Sequence, residues 1–112
     1  MHELAITRNI VAIVGDAAQG RRVTRVTLEI GKLSGVMADA VAFCFDVVAA
    51  ETSLAGARLD IRQIDGLARC RDCGEEFGAA TLFAPCRCGS RSCERVAGEE
   101  LNIKAIEVEE AA

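Results

Sequence analysis

The chain begins with residues that can bind a metal ion through nitrogen. Its one histidine, His2, lies directly after Met1 and before Glu3. The α-amine of Met1, the backbone amide of His2 and the His2 imidazole can close two fused chelate rings around one ion once the amide has lost its proton. Nitrogen-rich, square-planar or tetragonal coordination suits Ni(II) or Cu(II) better than Zn(II). A lone histidine near a terminus is more often simply solvated, so the rest of the chain has to decide between the two interpretations.

Thiols form a second group of possible metal ligands. Five of the six cysteines lie between positions 70 and 93, and Cys70 and Cys73 form a CxxCG zinc knuckle. A second knuckle is shortened, because only one residue separates Cys86 from Cys88, and Cys93 follows. The spacing predicts a zinc site formed by Cys70, Cys73 and Cys88, with Cys86 favoured over Cys93 as the fourth ligand. Four protein ligands leave no open position, so this zinc is expected to be structural.

Two other uses of the cysteines are less consistent with the sequence. A CxxC redox pair normally belongs to a thioredoxin-like βαβ unit, which is missing around Cys70 and Cys73. Disulfides would fit a secreted protein, but Arg8 and Asp16 flank an N-terminal apolar run that has the period of a helix rather than of a signal peptide. The sole histidine is distant in sequence from every cysteine, so no nucleophile–base pair is evident. We therefore expect a cytoplasmic protein that is not an enzyme.

Composition excludes two classes of partner. The net charge of −4 argues against nucleic acid, which usually demands a basic surface. No apolar run approaches the roughly 20 residues of a membrane span. With no Trp, no Tyr and only four Phe, the core must be built from aliphatic side chains.

The spacing of apolar residues predicts five elements that position these groups. They are a helix over 4–19, a strand over 22–31, a helix over 37–50, a strand over 57–64 and a strand over 100–109. In the last strand the apolar parity changes between Ile103 and Ile106, which indicates a β-bulge or burial on both faces.

This order of elements predicts an α+β fold, with two helices packed on a three-stranded sheet. The cysteine segment interrupts the sheet between its last two strands. We therefore expect residues 67–98 to form an inserted zinc-ribbon-like lobe, and residues 1–66 plus 99–112 to form the α+β domain that carries the N-terminal candidate site. The lobe has few large apolar residues, and a metal would replace the missing core.

Taken together, these motifs resemble the hydrogenase nickel-incorporation family, HypA/HybF, nearly from end to end. The matching segments are Met1-His2-Glu3, residues 26–34 (VTLEIGKLS), residues 45–48 (FDVV), the Cys70-x-x-Cys73-Gly74 knuckle, residues 83–86 (FAPC), residues 98–101 (GEEL) and residues 106–109 (IEVE). The family has Cys-Pro-x-Cys-Gly at the second knuckle, and here this chain departs from the pattern.

The resemblance implies a nickel metallochaperone with two metal sites. Ni²⁺ would bind at Met1, His2 and Glu3, and structural Zn²⁺ would bind in the tetra-cysteine lobe. Family members hand nickel to the large subunit of [NiFe]-hydrogenase during maturation together with a GTPase of the same pathway, and some relatives also serve urease. A terminal site with few donors also leaves room for ligands from a second copy of the chain. The alternative is a zinc-ribbon adaptor that never carries nickel.

Overall fold

The computed structural model describes residues 2–110, which form two helices and six strands in two separate sheets. The elements are α1 (Glu3–Ala18), β1 (Val23–Gly31), α2 (Ala38–Ala49), β2 (Arg58–Ile64), β3 (Leu67–Cys70), β4 (Glu76–Gly78), β5 (Cys93–Ala97) and β6 (Leu101–Val108). Within these residues, neither helix has the length and apolar character needed to cross a bilayer.

The first sheet has the strand order β2-β1-β6 and confirms the predicted α+β class. Strands β1 and β2 run parallel and are connected through α2, whereas β6 pairs antiparallel with β1. The five predicted elements have almost the predicted bounds. Both helices pack on this sheet, so the central strand β1 is the most buried of the three.

The core lies between the two helices and β1, and it is almost entirely aliphatic. Phe45 of α2 is the one phenylalanine in it, because Phe43 and Phe83 are exposed and Phe77 lies in β4 of the second sheet. The buried apolar residues of this core are Ile10, Val11, Val14, Ala18, Val23, Val26, Leu28, Ile30, Val41, Phe45, Ala49 and Leu54.

The predicted irregularity in the last strand is a β-bulge at Lys104. Thr27 of β1 pairs with Ala105, while the next residue, Leu28, pairs with Ile103. One extra residue on β6 therefore faces the central strand at this point. The bulge lets both Ile103 and Ile106 pack against the core, which explains the change of parity in the sequence.

The cysteine segment forms a second antiparallel sheet, with the strand order β4-β3-β5, that was not predicted from the sequence. Its strands have three to five residues and show little alternation of buried and exposed positions. Only Ala68, Cys70, Ala79 and Cys86 are buried apolar residues here. This sheet therefore has no core of large side chains.

The two sheets meet where three glycines pack against one another. A Cβ on Gly98, whose φ is +114°, would lie 2.7 Å from the Cα of Gly66, and a Cβ on Gly31 would lie 2.0 Å from the Gly98 oxygen. The Leu33 N–H donates to that same oxygen at 2.7 Å. The radius of gyration is 17.4 Å, against about 13 Å for a compact chain of this length. The molecule is thus elongated, with a tightly packed junction.

Replacing Gly66 with alanine is expected to destabilise the protein by about 2–3 kcal/mol, as overpacking does. The new Cβ would lie 2.1 Å from the Ala79 carbonyl oxygen and 2.7 Å from Leu33 Cδ1. Gly15→Ala is the matched control, because Gly15 lies inside α1 with no atom within 4 Å of its Cβ position. That change should stabilise the helix by about 0.5–1 kcal/mol. Urea unfolding measures the change in the free energy of unfolding for each substitution. Equal changes for Gly66→Ala and Gly15→Ala would contradict the tightly packed junction.

Candidate metal centres

The first cysteine knuckle begins at Cys70, the last residue of strand β3. Cys70 is buried, and its carbonyl oxygen accepts a hydrogen bond from the Gly74 N–H at 2.9 Å. Gly74 has a φ of +78°, which glycine adopts without strain. The turn brings Cys73 back toward Cys70, and the Cys73 N–H lies 3.5 Å from Cys70 Sγ.

The second knuckle is shorter by one residue and closes a tighter turn. The Cys86 carbonyl accepts from the Gly89 N–H at 2.8 Å, and Gly89 has a φ of +93°. The Cys86 N–H donates to the Ser90 carbonyl at 2.9 Å, which closes the loop from the other side. The hydrogen bond that closes this turn joins residues three positions apart, whereas the one in the first knuckle joins residues four positions apart. The tighter turn explains how a CxC pair can direct two sulfurs toward the same point.

The two knuckles face each other and bring four sulfurs into one cluster. Cys70 Sγ lies 3.7 Å from Cys88 Sγ, and Cys73 Sγ lies 3.6 Å from Cys86 Sγ. All four sulfurs are within 4.8 Å of one another. Tetrahedral coordination with Zn–S bonds of about 2.3 Å requires sulfurs about 3.8 Å apart. The donor set therefore fits one Zn²⁺ ion.

Polar contacts around the cluster favour a thiolate at Cys70 and connect the two knuckles. The Cys73 N–H donates a hydrogen bond to Cys70 Sγ, and this bond lowers the pKa of the Cys70 thiol to about 6. Arg87 of the second knuckle forms an ion pair with Glu75, and the Ser90 hydroxyl donates to Asp72. Both contacts join one knuckle to the other across the sulfur cluster.

Cys93 lies beside the cluster but not in it. It is the first residue of β5 and pairs directly with Cys70 across the sheet. Its thiol is within 3.8 Å of the Ser90 carbonyl oxygen and is partly exposed. Burial raises the pKa of this thiol. Of the two residues that the sequence leaves open as a fourth ligand, the structure brings Cys86 to the other three.

The N-terminal candidate ligands are at the start of α1. His2 is the N-cap residue, and its carbonyl accepts the Ile6 N–H at 3.0 Å. The imidazole is exposed and provides no cap to the helix. Backbone N–H groups at the start of a helix have no partner within it, so the His2 amide is not engaged in the helix. Met1, the third predicted nickel ligand, lies outside the described residues 2–110.

Glu3 connects the start of α1 to the start of α2. Its Oε2 accepts a hydrogen bond from the Met37 N–H at 3.1 Å, a contact between residues 34 positions apart. Met37 is the N-cap of α2 and has no cap from its own side chain. This N–H lowers the pKa of the Glu3 carboxyl. The contact places the Glu3 carboxylate next to the positive end of the α2 dipole, and no sequence pattern signalled it.

Replacing Glu3 with alanine should therefore accelerate amide hydrogen exchange at Met37. Glu3→Gln is the matched control, because its amide oxygen can accept the same hydrogen bond without the charge. We expect protection at Met37 to follow the order wild type, Glu3→Gln, Glu3→Ala. Unchanged exchange in Glu3→Ala would contradict the contact.

The chain is similar to known proteins over nearly its whole length. Residues 1–108 match the family model described as "Hydrogenase/urease nickel incorporation, metallochaperone, hypA". A hydrogenase maturation factor HypA from Nostoc sp. is 59% identical over 110 residues, which are 98% of this chain and 97% of that protein. The HypA of Geotalea uraniireducens is 49% identical over 110 residues, covering 97% of this chain and all of the relative.

Solved structures show the same fold. The solution structure of the Ni metallochaperone HypA from Helicobacter pylori superimposes with a TM-score of 0.68 and 24% identity, covering 96% of this chain and 97% of that one. A second HypA solution structure gives a TM-score of 0.71 at 24% identity, with 96% of each chain covered. Because the family model and the relatives span nearly the whole sequence, this chain belongs to the HypA family of nickel-incorporation metallochaperones.

Proposed function

We propose that this protein binds Ni²⁺ at its N-terminus and delivers it to the large subunit of [NiFe]-hydrogenase during maturation of that enzyme. The position of His2 carries most weight, because its ring is exposed and not used by the fold. The Met1 amine, the His2 amide and the His2 ring would supply three nitrogen donors, with Glu3 completing or tuning the site. The match of the whole chain to a nickel-incorporation family supports this choice of metal.

A carrier must also release its metal, and a site at a helix terminus favours release. The end of a helix opens locally at a much smaller free-energy cost than its centre. The contact between Glu3 and Met37 would hold the segment in place between encounters. In this proposal fraying of the first residues exposes the bound ion to a recipient, and the carrier does no chemistry on its cargo.

The four-thiolate cluster is proposed to hold a permanent Zn²⁺ through Cys70, Cys73, Cys86 and Cys88. The metal would supply no chemistry other than cross-linking the two knuckles. We assign residues 67–98 to this lobe, and residues 1–66 plus 99–112 to the nickel-binding domain. The glycine junction supports a boundary at Gly66 and Gly98.

The proposed partners follow from the same family membership. They are the [NiFe]-hydrogenase large subunit and the GTPase of the maturation pathway, encountered in the cytoplasm. A second copy of the chain is a further partner if the terminal donors do not complete the coordination of nickel. Several relatives carry the name hydrogenase maturation factor, which supports hydrogenase as the recipient.

X-ray absorption at the nickel and zinc edges of the native protein tests the two sites separately. We expect nickel surrounded by nitrogen and oxygen, and zinc surrounded by four sulfurs at about 2.3 Å. A protein that holds zinc but takes up no nickel would instead be a zinc-ribbon adaptor. Nickel bound by sulfur would show that the cargo enters the cysteine cluster and would overturn the proposed N-terminal site.

A further inference from the structure

The lobe contains a fifth thiol that a four-coordinate zinc site does not need. Cys93 is paired across the β3–β5 ladder with Cys70, which is one of the four clustered cysteines. The remaining cysteine, Cys44, lies on α2 in the other part of the molecule. A partly exposed thiol directly opposite a buried zinc-ligand candidate requires an explanation.

The backbone hydrogen bonds identify the type of this cross-strand pair. The Arg71 N–H donates to the Ser92 carbonyl at 2.8 Å, so Arg71 and Ser92 face each other at a hydrogen-bonded position. Hydrogen-bonded and non-hydrogen-bonded pairs alternate along an antiparallel ladder, and Cys70 with Cys93 is the next pair. Consistent with this, the Cys70 N–H turns away and donates to the Glu75 carbonyl at 2.9 Å.

A non-hydrogen-bonded pair brings its two Cα atoms to about 4.5 Å, with the side chains close together. Disulfides need Cα atoms about 4.4–6.8 Å apart, a range that includes the separation typical of a non-hydrogen-bonded pair. The two sulfurs start from different environments. Cys70 is 1% exposed inside the cluster, whereas Cys93 is partly exposed and donates its S–H toward the Ser90 carbonyl.

We propose that Cys93 is a site of oxidation by hydroperoxides, and that oxidation joins it to Cys70 and ejects the zinc ion. This inference rests on the zinc site proposed above. The Cys93 sulfur, after losing its proton to solvent, takes the terminal oxygen of the peroxide and becomes a sulfenic acid, and hydroxide (or alkoxide) leaves as the O–O bond breaks. The Cys70 thiolate then attacks the Cys93 sulfur. The S–S bond forms, the Zn–S bond to Cys70 breaks, and a second hydroxide leaves.

Overall, two thiols and hydrogen peroxide give one disulfide and two waters, whereas two thiols and an alkyl hydroperoxide give one disulfide, one water and one alcohol. Zinc is left with the thiolates of Cys73, Cys86 and Cys88 and one open position. Because the lobe lacks a core of large side chains, loss of a ligand loosens both the metal and the fold around it. A thiol reductant and added zinc reverse the change. The lobe would then report oxidising conditions by losing its metal.

The experiment treats the zinc-loaded full chain with hydrogen peroxide, follows released zinc with a colorimetric chelator and maps disulfides by mass spectrometry. Cys93→Ser is the test variant and Cys44→Ser is its control. The wild type and Cys44→Ser should release zinc together with a Cys70–Cys93 disulfide. Removal of the attacked thiol should slow zinc release in Cys93→Ser by about tenfold or more, because the other four thiols of the lobe are the proposed zinc ligands, including the exposed Cys73 and Cys88.

Release from Cys93→Ser at the wild-type rate, or a disulfide between other cysteines, would overturn the proposal. So would loss of zinc from Cys93→Ser before any oxidant is added, because Cys93 would then be a ligand. Zinc content before oxidation separates these results from a failure of the zinc site itself. If the purified chain holds no zinc, the proposed site is wrong, and the disulfide map of the metal-free chain still tests the pairing of Cys70 with Cys93.

Discussion

Replacing His2 with alanine is expected to abolish tight nickel binding while leaving the fold intact. The substitution removes one of the three proposed nitrogen donors and breaks one chelate ring. Loss of a residue that only orients a metal ligand already costs 10–100-fold in affinity, so loss of the ligand itself should cost more than about 100-fold. The imidazole caps nothing and is exposed, so the free energy of unfolding should change by less than about 0.5 kcal/mol.

Isothermal titration with Ni²⁺ measures the first effect, and urea unfolding measures the second. Zinc content is the internal control, because the sulfur cluster lies in the other sheet and should keep its metal in His2→Ala. A variant that binds nickel with wild-type affinity would show that the N-terminus is not the site. A variant that loses zinc as well would show that the two sites are not independent.

Removing the zinc ligand Cys73 is expected to unfold the lobe selectively. Cys73→Ser leaves three thiolates, and the β4-β3-β5 sheet has only small buried apolar residues to hold it together. Binding of structural zinc contributes about 10–16 kcal/mol in zinc-finger peptides, and such domains are unfolded without metal. Amide protection across residues 67–98 should therefore fall to that of an open chain.

The same variant should retain protection in the first sheet and its helices. Their core, centred on Val26, Leu28 and Phe45, includes no residue of the lobe. Cys44→Ser is the matched control, since it removes a thiol without removing a proposed zinc ligand. Hydrogen exchange resolved by region distinguishes the outcomes. Protection retained in the lobe of zinc-free Cys73→Ser would show that the lobe folds without metal.

The sequence predicts those features that depend on local periodicity. In the first sheet and its helices, apolar residues recur with the period of a helix or a strand because one face of each element packs on the core. The bulge at Lys104 is also visible in the sequence, as a change of apolar parity between Ile103 and Ile106. Strand order leaves no such signal. Periodicity shows which face of β1 is buried but not that β2 pairs parallel on one side and β6 antiparallel on the other.

The details of the metal-binding regions depend on contacts that spacing does not encode. Either Cys86 or Cys93 has a suitable spacing for zinc, and only the turn closed at Gly89 brings Cys86 to the cluster. The hydrogen bond between Glu3 and Met37 joins two helix starts far apart in the chain. The short strands around the cysteines could not be predicted from the sequence. Their sheet covers no core of large side chains, so apolar and polar residues do not alternate along them.

Nickel titration of the native chain against a chain with one residue added before Met1 tests the central claim most directly. The added residue turns the Met1 amine into an amide and changes no side chain. Because terminal chelation needs a free amine beside the His2 amide and ring, we predict that nickel affinity falls by more than about 100-fold, while zinc content stays the same. Equal nickel affinity in the two chains would contradict a carrier site built on the N-terminus.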